Sequence, residues 1–476
     1  MKIVLINPRS KNPREIQQKC FAPISLLYLA SSLIANGYTV DIIDANALAL
    51  TDEEAAQKIK SIEPDLIGVA LFSEIIFQTY ALVERIKKIY PQGKFVLGGA
   101  HVNASAQNAL EEFKQADFAL RGESEESIVL LCRAIENKMK FSDVAGLYYR
   151  QDDKIIGNRP AEPIRDLDSL RPPARGLIED LYKDKKFYLV LASYRPVETI
   201  VTSRGCPFGC RFCCNTAQEY RVRSTDNVLA EILSIYRRGI KNIDIADANF
   251  TFDRDRAMRI FDLIKKERFN ISFRIKSRPD SIDKELVKKA KGAGVYLISL
   301  GMESGSQKIL NSMAKGTTIE KNVTACQVVM RQGVKLNTGW IIGCSSETEE
   351  TVKQTVNLIL KIKPTTANIG LLIPYPGTQF YEEARINKTL VGDWSIREAA
   401  FPWIKLPWVD SYADLQNLVR WVKNKVYYRP YYLFNFAKEI IGNANVTLAR
   451  YALQESGKSF FKKKGRSNEA QTYGMK

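Results

Sequence analysis

The chain of 476 residues contains a single histidine, His101. That excludes a zinc site built on several histidines, a Ser-His-Asp triad in more than one domain, and a two-histidine iron site. No apolar run reaches the roughly 18 residues that a membrane-spanning helix needs. No G-x-G-x-x-G follows the first expected strand, so a nicotinamide or flavin site has no support. The opening MKIVLINPRS has the pattern of a buried strand, not the charged-then-apolar layout of a secretory leader. An evenly spread disulfide framework is missing too. Of eight cysteines, Cys20, Cys132, Cys326 and Cys344 are scattered, while Cys206, Cys210, Cys213 and Cys214 fall within nine residues. These absences predict a reducing, cytoplasmic setting. With 45% hydrophobic and 26% charged residues the chain is neither disordered nor collagen-like. Its length suits two or three domains.

What is present begins with alternation. Residues 2–6, 38–43, 65–71, 94–98 and 117–120 read as strands; 25–36, 52–62, 76–90, 105–115 and 124–137 read as helices. This spacing predicts an α/β fold, a doubly wound parallel sheet over 1–150 with ligands at the strand C-termini. Residues 151–195 hold four prolines and few periodic runs, and predict a linker. A second βα series follows, with strands at 198–203, 241–246, 271–275, 295–300, 335–342 and 366–372. Six repeats over 196–390 predict a partial, open barrel. Residues 391–476 read as helical. Of the +17 formal charge, 1–160 carry −1, 161–404 carry +10 and 405–476 carry +8. The last segment is also aromatic, with Trp408, Trp421, Tyr427, Tyr428, Tyr431, Tyr432, Phe434 and Phe436. Basic and aromatic together suit a membrane interface, nucleic-acid stacking or an anionic substrate; the plainer reading is a solvated helical face with a packed aromatic lid.

The cysteine cluster lies in Ser203-Arg204-Gly205-Cys206-Pro207-Phe208-Gly209-Cys210-Arg211-Phe212-Cys213, on the loop leaving the first barrel strand, where such folds place active sites. Thiolates spaced by four and three residues can wrap one metal centre. A structural zinc needs a fourth ligand. Cys214 is adjacent to Cys213, and neighbours rarely chelate one ion together, while His101 is 105 residues before Cys206. Three ligands without a fourth suit a [4Fe–4S] cluster with one iron open.

This C-x3-C-x-aromatic-C after a barrel strand resembles the signature of the radical SAM superfamily. The resemblance implies that the open iron chelates S-adenosylmethionine (SAM) and that one electron, from a donor such as flavodoxin or ferredoxin, cleaves it to a 5′-deoxyadenosyl radical. Later segments fall in the family's order. Asp244–Phe250 resembles the acidic second-strand motif, with Asp247 near the SAM amino group. Ser277-Arg278 follows the third strand, where it could meet the SAM carboxylate. Gly301-Met302-Glu303-Ser304 resembles the family's G-x-E-S. Pro374–Gln379 resembles the last-strand turn. With Phe212, the SAM contacts so implied are Asp247, Ser277, Arg278, Gly301 and Glu303. The fifth strand departs: Gly343-Cys344-Ser345-Ser346-Glu347-Thr348 stands where relatives have G-x-P-x-E-T.

Residues 1–150 resemble the cobalamin-binding domain fused to one branch of that superfamily. The contacts implied are Asn7 and Pro8 after strand one, Ser73 after strand three, Gly98, Gly99 and His101 after strand four, and Gly122 and Glu123 after strand five. The D-x-H-x-x-G loop that supplies an axial histidine is absent. His101 is expected on a different loop, beside the corrin or its tail and off the cobalt. The resemblance implies a cobalamin-dependent methyltransferase acting on an unactivated carbon of a small molecule or lipid. The same cofactors without methyl transfer, in an oxidative cyclase or a rearrangement, form the alternative. An RNA-modifying role is weaker and no nucleic acid is expected. Peripheral membrane contact through Leu415–Ile441 is a further expectation.

Overall fold

The computed structural model describes residues 1–10, 21–183, 196–214, 218–396, 401–432 and 434. The first sheet contains β1 (Lys2–Asn7), β2 (Thr39–Asp44), β3 (Leu66–Ala70), β4 (Lys94–Gly98), β5 (Phe118–Leu120), β6 (Leu147–Gln151) and β7 (Lys154–Gly157). Their order is β2-β1-β3-β4-β5-β6-β7, parallel as far as β5 and antiparallel beyond it. β3 is buried along its whole length, as expected of a parallel strand covered on both faces. Helix Ile24–Ala35 packs on one face and helices Asp52–Ile62 and Ile76–Ile89 on the other, so two apolar layers sandwich the sheet. Helix Asp52–Ile62 starts at a capping box, with Thr51 and Glu54 each bonding the other's backbone.

The segment expected as a linker is structured wherever it is described. The hairpin β6–β7 extends the first sheet past residue 150. Residues 175–183 form two short helical turns, and Ile178 and Tyr182 join the core of the second sheet. Prolines before these turns erase the periodicity that a sequence reading relies on, and tertiary contacts order the segment instead.

The second sheet contains β8 (Val197–Ile200), β11 (Asn242–Ile245), β12 (Ser272–Ser277), β13 (Val295–Glu303), β14 (Lys335–Ile342) and β15 (Thr366–Leu371). All neighbours are parallel in the order β15-β14-β13-β12-β11-β8, an open six-stranded barrel with β8 and β15 as its edges. A two-stranded ribbon, β9 (Ser203–Arg204) with β10 (Arg221–Val222), follows β8 and closes the cysteine loop. Each edge of the barrel is covered. Beside β8, Arg175 pairs with Glu198 and Glu231 in the buried interior, and Tyr182 donates to Glu198. Beside β15, the Tyr427 hydroxyl bonds both the N–H and the C=O of Ala367, which blunts an exposed strand edge.

Beyond 391 the helical expectation needs correction. Leu390–Val391 pairs antiparallel with Trp403–Ile404, and regular helix begins only at Tyr412, capped by Ser411. Helix Tyr412–Tyr427 buries Leu415, Val419, Val422 and Val426 against the barrel. The aliphatic stripe of this helix is thus turned to the barrel, while Trp421, Tyr428, Tyr431 and Phe434 stay exposed. Ile441 and the residues near it lie outside the described part. Among the described residues no helix is long and apolar enough to cross a membrane.

Candidate active site

The cysteine loop runs from Gly205 to Cys214 at the C-terminal mouth of the barrel. Gly205 has φ +82°, and a Cβ there would lie 2.0 Å from the Glu219 carbonyl oxygen, so only glycine closes this ribbon. The backbone N–H of Cys213 donates to the Cys210 carbonyl, and that of Gln218 to the Cys206 carbonyl. Arg211 ties the loop outward. Its N–H donates to the Met313 carbonyl, its guanidinium bonds Ser312 and Glu383, and it lies 4.7 Å from the Phe380 ring centroid. Phe212 packs into a small apolar cluster with Met313, Cys344 and Phe380.

Cys206, Cys210 and Cys213 are in no disulfide, nor are the exposed Cys214 and the buried Cys132, Cys326 and Cys344; Cys20 lies outside the described residues. Burial pushes the Cys210 thiol up, while the cations Lys315 and Arg278 pull it down. Among the described residues no three His, Cys, Asp or Glu side chains are gathered around one ion. A four-iron cluster is larger than an ion and spaces its thiolates more widely than the tight tetrahedron of zinc. Three thiols on one loop with two adjacent cations therefore fit such a cluster.

Arg278 sits at the centre of this environment. Its guanidinium stacks 3.7 Å from the Phe208 ring centroid and donates to the Cys210 sulfur at 3.7 Å. Its other donors go to Asp280 and to the Lys315 carbonyl. The donors expected to meet a carboxylate are thus engaged by the protein. Ser277 shares its hydroxyl with Thr251 and the Arg278 carbonyl. Phe208, Phe252 and Tyr220 pack edge to face beside the loop. Glu303 occupies the left-handed region at φ +62° and forms a 2.6 Å ion pair with Lys315. A Cβ at Gly301 would strike that pair, 2.4 Å from Glu303 Oε1 and 3.0 Å from Lys315 Nζ. Gly301, Glu303 and Lys315 therefore form one unit, and no motif flags Lys315.

Asp247, expected near the SAM amino group, is held by the strand end before the cysteine loop. Its side chain is 1% exposed and accepts from the Thr202 N–H at 2.7 Å, the Thr202 hydroxyl at 2.5 Å and the Ser203 hydroxyl at 2.7 Å. Both carboxylate oxygens are engaged, so the residue braces the strand end before the cysteine loop. Glu123, expected at the cobalamin, is engaged elsewhere in the structure. It points across to the barrel, where it pairs with Arg221 and Arg204.

In the first domain the order 2-1-3-4-5 places a topological switch point between β1 and β3. A cavity of about 240 Å³ opens there, lined by Asn7, Phe21–Leu26, Ala70 and Phe72. Asn7 donates to Asp44, and Pro8 beside it is buried. At the neighbouring strand end, a Cβ on Gly98 would meet only open space, which leaves room for a flat ligand to approach the backbone. Gly99, at φ +118°, has the Leu71 carbonyl oxygen 2.8 Å from where a Cβ would be. Gly122 (φ +99°) donates its N–H to the Asn103 side-chain oxygen. His101 is not on a loop. The helix starts at Ala100, five residues before the expected 105, and bends at Ser105. There His101 is buried, with Nδ1 2.9 Å from the Ser73 hydroxyl. Burial lowers its pKa to about 4, with Asp393 opposing, so the imidazole is neutral at pH 7.

A radical SAM superfamily model matches residues 200–359, and a B12 binding domain model matches residues 18–131. An uncharacterized methyltransferase of Pyrococcus horikoshii is 30% identical over 437 residues, covering 90% of this chain and 93% of that protein. The chain belongs to the B12-binding radical SAM family. It is a radical SAM enzyme. The anaerobic magnesium-protoporphyrin IX monomethyl ester cyclase of Rubrivivax gelatinosus is 28% identical over 393 residues, covering 80% of this chain and 70% of that protein. Among solved structures, the radical SAM methyltransferase TsrM of Kitasatospora setae, with cobalamin and a [4Fe–4S] cluster bound, superposes with TM-score 0.72 at 18% identity. That match covers 88% of this chain and 90% of TsrM, and it shows the shared fold.

Proposed function

We propose that this family member is a cobalamin-dependent methyltransferase that acts on an unactivated carbon of a small molecule or lipid, using a [4Fe–4S] cluster, SAM and cobalamin. One observation carries the reading. The thiol-bearing mouth of the barrel faces the ligand-binding edge of the first sheet and is held to it at both ends. Glu123 and Glu125 pair with Arg204 and Arg221 at one end; the Tyr375 hydroxyl donates to Glu74 at 2.6 Å at the other. When bound, the cofactors supply a carbon-centred radical from SAM and a methyl group from cobalt. Cys206, Cys210 and Cys213 hold the cluster, and Arg278 and Lys315 balance the charge of its thiolates. Phe208, Phe252 and Tyr220 stand as an aromatic wall beside it. Glu303, with Lys315 and Gly301, shapes the SAM side of the mouth. Asn7, Pro8, Ser73, Gly98, Gly99, His101 and Gly122 form the cobalamin side. His101, buried and bonded through Nδ1 to the Ser73 hydroxyl, stands beside the corrin or its tail.

The relative named a cyclase favours the second reading, the same cofactors without methyl transfer. The two separate in anaerobic turnover with a reduced flavodoxin or ferredoxin. Methyl transfer yields 5′-deoxyadenosine, S-adenosylhomocysteine and a methylated product together; 5′-deoxyadenosine without the other two rejects it. Replacing all three cluster cysteines by Ala should abolish bound iron and leave the cobalamin absorbance. A cytoplasmic setting goes with the described cysteines being in no disulfide. Peripheral membrane contact goes with the exposed Trp421, Tyr428, Tyr431 and Phe434 beside Lys425 and Arg429. Liposome co-sedimentation unchanged by deleting residues 428–476 rejects that contact.

A further inference from the structure

We propose that Glu123, Glu125, Arg204 and Arg221 form a docking clamp that orders the cysteine loop only when the two domains are engaged, and so sets the spacing between the cobalamin crevice and the cluster. The inference rests on the functional reading above for its cofactors, but its geometry is this chain's own. In the ribbon that closes the cysteine loop, Arg204 stands directly opposite Arg221. Like charges opposite one another in an antiparallel pair repel. Both guanidinium groups are largely buried, so water screens them little. The compensating carboxylates come from the other domain, 79 to 98 residues earlier in the chain.

Glu123 takes Arg221 with two contacts, at 2.7 and 2.9 Å, and Arg204 at 3.3 Å. Glu125 takes Arg204 at 2.5 Å. Two backbone groups complete the joint: the Ile164 N–H donates to Glu123, and Arg221 donates to the Ile164 carbonyl. Arg204 leads directly into Gly205 and Cys206. On the other side, Gly122 precedes Glu123 and donates its N–H to the side chain of Asn103, two residues along the helix from His101. The clamp therefore joins the backbone next to one cofactor to the backbone next to the other. Undocked, the ribbon would hold two adjacent guanidinium groups without carboxylates, and the loop between them would lose its closure. A buried pair stripped of one partner leaves an uncompensated charge. These four are positioning residues.

The test compares full-length wild type with Arg221→Gln, Glu123→Gln and the double variant. In holoprotein reduced to cob(II)alamin and the paramagnetic cluster, electron paramagnetic resonance reads the relaxation enhancement of one centre by the other, which depends on their separation. Calorimetry of the apoprotein reads whether the domains unfold together. The clamp predicts loss of enhancement and splitting of one thermal transition into two in each single variant, with little further change in the double variant. Arg221→Lys, which keeps the charge but not the two-pronged fork, should fall between, and it serves if Arg221→Gln does not fold. Unchanged enhancement and a single unsplit transition in the variants overturn the inference. A wild type that binds no cobalamin or no cluster overturns the functional reading instead, and calorimetry alone then decides the clamp.

Discussion

Replacing Glu347 by Gln should change the pH dependence of stability in a defined direction. Glu347 closes the turn after β14, accepting the Gly343 N–H at 2.6 Å and the Cys344 N–H at 3.3 Å through Oε2. Its side chain is buried, and Oε1 has no hydrogen-bond partner. Burial raises its pKa from 4.5 to about 7, against the pull of the two N–H groups. Between those values the folded chain holds a proton that the unfolded chain releases. Stability from this group is therefore complete below about pH 4.5 and is lost as pH rises through 7. At about 1.36 kcal/mol per pH unit the loss is about 3 kcal/mol across the window. His101 runs the other way. It is neutral in the fold down to about pH 4 and charged below 6.5 when unfolded, so its contribution grows as pH rises between those values. In wild type the two slopes oppose each other; in Glu347→Gln only the rising one remains. Anaerobic urea unfolding of both proteins from pH 5 to 7.5 measures the difference. If the two curves of stability against pH run parallel, Glu347 is ionised in the fold and the reasoning fails.

Four further outcomes are expected. Arg278→Gln removes the cation beside Cys210, so the cluster should become harder to reduce, and a redox titration followed by electron paramagnetic resonance should show a more negative potential; an unmoved potential would leave Arg278 a packing role alone. Cob(II)alamin in the wild type should show no nitrogen splitting from a protein imidazole, and His101→Gln should not alter the signal; splitting that vanishes in the variant would put His101 on cobalt. Asp247→Ala strands three donors in a site 1% exposed, which should cost about 3–5 kcal/mol and lower iron incorporation; full iron content would show that the strand end does not need the brace. Leu415→Ala should cost about 2–5 kcal/mol in thermal or urea unfolding without changing bound iron; a negligible loss would mean that the covering helix contributes little to the barrel.

The strand and helix alternation was legible because parallel strands buried on both faces are apolar runs, and the covering helices repeat at 3.6 residues. Helix Asp52–Ile62 and strand Lys94–Gly98 match their expected ranges residue for residue. The start of helix Ala100–Glu112 was not legible. Gly99 turns the chain off β4 directly, and Asn103 and Ser105 disguise the first turn, which is why His101 was expected on a loop. The hairpin β6–β7 and residues 175–183 carry no strong periodicity and owe their order to neighbours distant in sequence. Beyond 391, aromatic and basic composition resembles an interfacial helix, yet it cannot distinguish an apolar face turned to lipid from one turned to a barrel.

By itself the sequence determined the cysteine loop, the two βα series and the absence of a D-x-H-x-x-G loop, because each is a matter of residue type and short spacing. Only the tertiary structure decided what the charged residues do. Asp247 braces a strand end, Glu303 is held by Lys315, and Glu123 leaves its own domain to meet Arg221. A buried charge is defined by its partner, and these partners lie 12 to 98 residues away in sequence, beyond any local pattern.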